Sequence, residues 1–380
     1  MRKKISVLVA SVLSLSLLAA CADGTTTTTA AGTTAGTTTA GDTTPAGTTT
    51  PDSTDASTTT AGGEVEGPVA AEAGSIVKLG LGSVTNVAKS KAFEAEAGGL
   101  GQTDVTVAAV GFDADGKVAS IYIDHAQTKI EFEADGTLKT DIAAAFQSKQ
   151  ELKEEYGMKK ASSIEKEWYE QIEALSVFFQ GKTVEEIKAM NLSDGKPAEA
   201  DLVSSVTISV GDYIAVVEEA WDNAVDVENG ADKVGLGITT SAAKSAAKTA
   251  DKPAVVQVDN TMTAVAVSGN DVVEAVVLDV TQPKVEFDAD GAFVTDVTVP
   301  VESKLELGDE YGMKKASTLG LEWHEQSANF SEWAKGKSLE EIKAAEGDDG
   351  KAADADLAAG VSVGVSDYIL TIEEAVNVAR

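Results

Sequence analysis

Tyr156-Gly157-Met158-Lys159-Lys160-Ala161-Ser162 returns letter for letter as Tyr311-Gly312-Met313-Lys314-Lys315-Ala316-Ser317. Each copy leads to a Glu-Trp pair (Glu167-Trp168, Glu322-Trp323) and then to Glu-Gln (Glu170-Gln171, Glu325-Gln326). Trp168 and Trp323 stand 323 − 168 = 155 residues apart, and the offset holds without a gap far to either side. Upstream, Gly80-Leu81-Gly82 maps to Gly235-Leu236-Gly237, Asp124 to Asp279 and Phe132 to Phe287. Downstream, Gly181-Lys182 maps to Gly336-Lys337, Asp201-Leu202 to Asp356-Leu357 and Asp212-Tyr213-Ile214 to Asp367-Tyr368-Ile369. The repeat is too long for a solenoid, whose units run about 20–50 residues, so the chain reads as a duplicated domain.

Within one copy the first half reads as strand. Val105, Val107 and Ala109 alternate with small or polar residues, Val118 to Ile123 follow an Asp-Gly turn, and Lys129 to Phe132 precede another at Asp135-Gly136. Thr261 to Val267, Val272 to Val280 and Lys284 to Phe287 repeat the pattern, which marks antiparallel hairpins. The second half reads as helix. Ile164, Trp168, Ile172, Leu175 and Phe179 make one apolar stripe, with Ser162 and Glu165 as a capping box and Gly181 beyond the end. Thr183 with Glu186, and Ser338 with Glu341, open a second short helix, and a third spans about Asp212 to Val225, carrying Ile214, Val217 and Trp221. Strands first and helices after predict an α+β class, with repeat 1 over 74–229 and repeat 2 over 230–380. Each copy is long enough to bury a core.

Ahead of the repeats, Arg2, Lys3 and Lys4 precede an apolar run from Ile5 to Leu18 and small residues up to Cys21, the one cysteine. This pattern is that of a secretory signal over 1–20, too short for a comfortable membrane-spanning helix of about 20 residues. Leu18-Ala19-Ala20-Cys21 resembles the bacterial lipobox. The resemblance implies cleavage before Cys21, lipidation of its sulfur and a protein held at the extracytoplasmic face of the cell membrane, as on a Gram-positive-like surface. Residues 21–73 are dominated by Thr, Ala, Gly, Ser, Asp and Pro, with too little apolar surface to offset ordering entropy, and read as a disordered stalk.

The formal net charge of −32 argues against nucleic-acid binding, which needs clustered Lys and Arg. With Cys21 assigned to lipid, Cys-ligated zinc and iron–sulfur clusters are excluded within one chain. His125 corresponds to Val280 and His324 to Tyr169, so no His-based mechanism is common to the two copies. Asp113-Ala114-Asp115-Gly116 and Asp288-Ala289-Asp290-Gly291 lack the downstream Glu of a calcium loop and read as hairpin turns. No metal site and no substrate-transforming site is visible. Trp168 and Trp323 on the apolar stripe read as core, with stacking on a flavin ring the alternative.

The stretch leading into the last helix of each copy is the candidate for chemistry. Asp201-Leu202-Val203-Ser204-Ser205-Val206-Thr207 in repeat 1 matches Asp356-Leu357-Ala358-Ala359-Gly360-Val361-Ser362 in repeat 2. Small and hydroxyl residues before a helix can hold an anion on free backbone N–H groups. The stretch resembles that of the FMN-binding domain of extracytoplasmic electron-transfer lipoproteins and ion-pumping redox complexes, which carries Asp-x-x-(Ser/Thr)-Gly-Ala-Thr before its last helix. The resemblance implies FMN as cofactor, joined through a phosphoester to Thr207 or Ser362 by a flavin transferase. It makes Asp201 and Asp356 the motif acids, Ser204 the hydroxyl residue and Gly360 the motif glycine. The partners implied are the membrane through Cys21 and a membrane redox protein. Ser205 stands where the family has Gly, Val206 and Val361 where it has Ala, and Ala359 where it has a hydroxyl. Two functions are therefore expected as alternatives: a tethered flavin electron carrier in extracellular electron transfer, or a non-enzymatic ligand-binding or structural module that has lost the flavin.

Overall fold

The structure, a computed structural model, describes residues 67–380 apart from 95 and 270. The expected signal segment, Cys21 and nearly all of the expected stalk lie outside the described residues.

Repeat 1 opens with β1 (Ile76–Asn86), β2 (Lys91–Glu94), β3 (Gly98–Phe112) and β4 (Val118–Glu131). It continues with α1 (Lys149–Leu152), a 3₁₀ turn over Lys153–Tyr156, α2 (Trp168–Phe179), α3 (Val184–Lys188), the short ribbon β5 (Leu192–Ser193) and β6 (Lys196–Pro197), and α4 (Gly211–Asp222). Then β7 (Val225–Ala231) leads into repeat 2, with β8 (Lys233–Ser241), β9 (Val255–Gln257), β10 (Asp259–Val267), β11 (Val272–Thr281) and β12 (Lys284–Glu286). Its helical half is α5 (Lys304–Leu307), a 3₁₀ turn over Gly308–Tyr311, α6 (Trp323–Ala334), β13 (Lys337–Ser338), α7 (Leu339–Lys343), α8 (Ala355–Gly360) and α9 (Ser366–Val378).

In each copy the first long strand pairs with the third element of the meander, and that with the next: β1 with β3 and β3 with β4, then β8 with β10 and β10 with β11. All these pairings are antiparallel, with helices following, so the described chain mixes antiparallel sheet and helix as the α+β expectation requires. Both Asp-Gly tetrapeptides are turns: Gly116 N–H donates to the Asp113 carbonyl at 3.0 Å and Gly291 N–H to that of Asp288 at 3.1 Å.

One face of each sheet carries its own helices. Val110, Phe112, Ile121 and Ile123 pack against Trp168, Ile172, Leu175 and Phe179 of α2 and Val216, Val217 and Ala220 of α4. Val265, Val276 and Leu278 do the same with Trp323 and Phe330 of α6 and Ile372 and Ala375 of α9. The other face of each sheet buries the other copy: Leu79, Leu81, Val105, Val107 and Ala109 share a cluster with Leu236, Ile238, Met262, Ala264 and Ala266. The layers thus run helix, sheet, sheet, helix, and all described residues belong to one compact unit. The contact is reciprocal. Phe93 N–H donates to the Gly291 carbonyl at 3.0 Å, and its equivalent Lys248 N–H donates to the Gly136 carbonyl at 2.9 Å. Such i-to-j and j-to-i pairing is the mark of a two-fold relation, here between two halves of one chain.

The Gly-x-Gly of each first strand sets how closely the last helix docks. A Cβ on Gly80 would lie 1.8 Å from the Ala220 carbonyl oxygen of α4, and on Gly82 2.0 Å from that of Val216. Gly235 and Gly237 meet Ala375 and Thr371 of α9 at 1.7 and 2.0 Å in the same way. Helix backbone touches strand backbone there, and only glycine leaves room.

Two expectations are corrected. The long helix starts at Trp168, not near Ser162: Glu167 is its N-cap, boxed with Glu170, and Glu165 sits at φ 54°. Ser162 Oγ instead accepts from the Gln171 side chain at 3.2 Å, so Ile164 precedes the helix. The segment after α4, expected to be helical to Val225, turns at Asn223 into strand β7, which pairs with β1.

Candidate functional site

The duplicated Tyr-Gly-Met-Lys-Lys-Ala-Ser stretch is a tied loop. Glu167, almost fully buried, accepts the N–H groups of Met158 at 2.7 Å and Lys159 at 3.1 Å while capping α2. Glu322 accepts those of Met313 and Lys314 at 2.7 and 3.0 Å. Behind it Trp168 is buried with its indole N–H on the Tyr213 hydroxyl at 2.9 Å, and Trp323 on that of Tyr368 at 2.8 Å. Both tryptophans are core, as their place on the stripe predicted, and each ties its helix to the last helix of the copy.

The expected flavin positions lie next to this loop. Thr207 is half-buried, and its N–H and hydroxyl both donate to Oε1 of Gln171, at 2.9 and 3.3 Å. Ser362 repeats this on Gln326 at 2.8 and 3.2 Å. Gln171 and Gln326 are fully buried, so these bonds are structural anchors in a dry place. Asp201 and Ser204 are exposed in successive turns, Asp356 is exposed on α8, and Gly360 ends that helix with its carbonyl accepting from Asn329 at 3.0 Å. No hydrogen bond among the described residues joins Asp201 or Ser204 to Thr207, or Asp356 to Ser362.

The fit of a flavin phosphate can be tested on these atoms. The N–H groups that would converge on a phosphoester at Thr207 are spent: those of Ser205 and Val206 on the Leu202 carbonyl, both at 2.8 Å, and that of Thr207 on Gln171. In repeat 2, Val361 N–H goes to the Leu357 carbonyl at 2.9 Å. The space a glycine would open is also taken, a Cβ on Gly360 meeting the Asn329 Cβ at 3.0 Å. The N–H groups of residues 205–207 and of 361–362 are thus engaged within the protein and are not free to cradle an anion.

A second constellation, not singled out in the sequence, is built twice at the end of each sheet. In repeat 1, Asp104 is buried with Lys89 Nζ at 3.0 Å, Gln127 Nε2 at 2.7 Å and Gln102 Nε2 at 3.0 Å. Burial pushes its carboxyl up, but the nearby His125 ring and hydrogen bonds from Gln127 and Lys89 outweigh that and hold it well below the usual carboxylate range. Beside it the ammonium of Lys149 lies 4.6 Å from the Tyr156 ring centre and 5.4 Å from that of Trp168. In repeat 2, Asp259 accepts from Lys244 at 2.6 Å and from Gln257 at 2.8 Å. Lys304 lies 4.8 Å from the Tyr311 ring centre and 5.2 Å from that of Trp323. Burial lowers both Lys149 and Lys304 to about 8. Among the described residues neither ammonium is in an ion pair.

The two seats differ at one strand position. In repeat 1 it holds His125, buried, with Nδ1 3.0 Å from the Thr106 hydroxyl and Nε2 3.5 Å from Asp104. Burial pushes that imidazole below its ordinary value, so it is neutral packing. In repeat 2 the position is Val280, and a cavity of about 440 Å³ opens there, lined by Gln257, Val280, Gln282, Val301, Lys304 and Tyr311. The signal for this site was the 155-residue offset itself, which pairs Lys89, Gln102, Asp104, Gln127 and Lys149 with Lys244, Gln257, Asp259, Gln282 and Lys304.

Among the described residues no group of three or more His, Cys, Asp or Glu could hold a metal ion, and no helix is long and apolar enough to cross a membrane. Compared with protein-family models, curated proteins and solved structures, the chain matches none.

Proposed function

We propose that this chain is a non-enzymatic binding module, on an FMN-binding-like frame in two interlocked copies, tethered by lipid on Cys21 to the extracytoplasmic face of the membrane. The observation that supports the binding reading is the seat built in both copies: a half-buried to buried lysine, without an ion-pair partner, between a tyrosine and a tryptophan ring. Desolvating an ammonium costs free energy, and the duplicated seat incurs that cost twice. A ligand that meets it there offsets that cost.

Flavin carriage is the second reading. What favours it is a hydroxyl residue, half-buried rather than fully buried, at the corresponding position of both copies: Thr207 and Ser362. Bound FMN would supply one- and two-electron transfer. Intact mass and an absorbance spectrum, taken on protein made beside a flavin transferase, separate the two. The binding reading expects a colourless chain with no FMN increment. An increment of one or two FMN groups, removed by Thr207→Ala and Ser362→Ala, would overturn it in favour of the carrier. For the tether, Cys21→Ala is expected to release the protein from the membrane fraction into the medium, and retention in the membrane would contradict it.

A further inference from the structure

The cavity of about 440 Å³ beside Lys304 is of a size that suits a small molecule. Its wall is asymmetric. Val280, Val301 and Leu307 give it an apolar side, while Lys304, Tyr311, Gln257 and Gln282 give it a polar one. Resting on the binding reading above, we propose that this cavity in repeat 2 takes a small organic monocarboxylate, with the carboxylate on Lys304 and the aliphatic body against Val280, Val301 and Leu307.

Charge selects the class. The chain carries 62 acidic and 30 basic residues, yet Lys304 stands in the cavity with no carboxylate paired to it among the described residues. The neighbouring acid, Asp259, is already engaged by Lys244 at 2.6 Å, and Asp279 is buried on its own backbone contacts to Val280 at 2.7 Å and Leu305 at 3.1 Å. The rings of Tyr311 and Trp323 hold the ammonium in place and exclude a second cation from their faces. One hydrogen-bond donor adds to the seat: the Tyr311 hydroxyl donates to Gln282 Oε1 at 3.1 Å, which leaves the Gln282 amide N–H₂ as a donor. One point charge without an arginine fork suits a monoanion rather than a phosphate dianion, and Glu302, exposed in the same lining, opposes a second negative charge.

Repeat 1 carries the same seat in closed form. His125 stands at the place of Val280 and Phe146 at that of Val301, and Lys149 is buried where Lys304 is half-exposed. The duplication has therefore left one open site and one filled by the protein's own side chains.

Calorimetric titration of the full chain with butyrate, acetate, inorganic phosphate, butyramide and butylammonium tests this. Butyrate is expected to saturate one site per chain, with acetate and phosphate weaker and the uncharged and cationic probes silent. Val280→His, which copies the packing of repeat 1, and Lys304→Met are each expected to weaken butyrate by roughly tenfold or more. His125→Val with Phe146→Val is expected to add a second site. Butyrate binding that survives both Val280→His and Lys304→Met would overturn this site and leave the binding module standing. Preference for butylammonium would overturn the ligand class. Silence towards all five probes would overturn the inference, and silence towards a broad set of neutral, cationic and anionic metabolites would overturn the binding module as well.

Discussion

Lys304 is the residue on which the account turns, and its titration gives it a signature. Burial lowers its ammonium to about 8, Lys244 nearby adds to the lowering, and Asp259 and Asp279 oppose it. Tyr311 and Trp323 face it without charge, and Glu302 lines the same cavity. The ammonium exists below that value and is lost above it. Butyrate affinity should be flat from about pH 6, where the ligand is ionised, to about pH 8, and fall roughly tenfold per pH unit above the midpoint, which the bound carboxylate moves upward. Lys304→Arg should keep affinity into the alkaline range, because a guanidinium does not titrate there. A titration series over pH checks both, and a pH-independent affinity in the parent chain would contradict the assignment. This site was not legible as a motif. Lys149, Asp104 and their copies are scattered along strand, turn and helix, and only the fold gathers them. The mismatch of His125 with Val280, read along the chain, excluded a shared His mechanism, whereas in space it is what separates the closed seat from the open one.

At the scale of elements, the docking of α4 on β1 and of α9 on β8 depends on Gly80, Gly82, Gly235 and Gly237. Gly237→Ala would put a methyl 2.0 Å from the Thr371 carbonyl oxygen, so α9 must move off the sheet. The expected cost is about 3 kcal/mol of stability, measured by denaturant unfolding; a change within about 0.5 kcal/mol, typical of a surface site, would show that the helix does not sit there. The long strands and the two short helices were legible, because Asp-Gly turns and the Thr183–Glu186 and Ser338–Glu341 boxes act locally, and both boxes are formed. The start of α2 was misread since two boxes compete within nine residues, and Glu167 with Glu170 wins by also holding the loop N–H groups of Met158 and Lys159. Strand β7 was missed because its side chains are mostly exposed and polar, as suits an edge strand paired only to β1. At the candidate flavin stretch the spacing was legible, but a buried Gln side chain from another helix takes the N–H of Thr207 and of Ser362.

Across the whole molecule, the two copies bring acids towards one another. Burial raises Glu219 to about 8, with Glu306 and Asp279 of the other copy adding to it. Burial raises Glu374 to about 7, with Glu151 and Asp124 adding in the reciprocal sense. Asp124 and Asp279, both buried, are raised to about 6 and about 7. A carboxyl raised on folding holds its proton more tightly in the native state, so its stabilisation is present at low pH and lost as pH rises through the folded value. Melting temperature should therefore fall between pH 5 and pH 8, by on the order of 5 °C or more, the depressed Asp104 acting in the opposite direction but at lower pH. Calorimetry across that range checks it, and a melting temperature rising steadily towards pH 8 would contradict the buried-acid arrangement. The same two-fold layout makes the difference between copies the central claim: one seat open at Val280, one closed by His125. An anomalous difference map from crystals soaked in 4-bromobutyrate tests it most directly. One bromine peak per chain is expected, in the cavity beside Lys304 against Val280 and Leu307. Equal peaks beside Lys149 and Lys304, or density only elsewhere on the molecule, would contradict it.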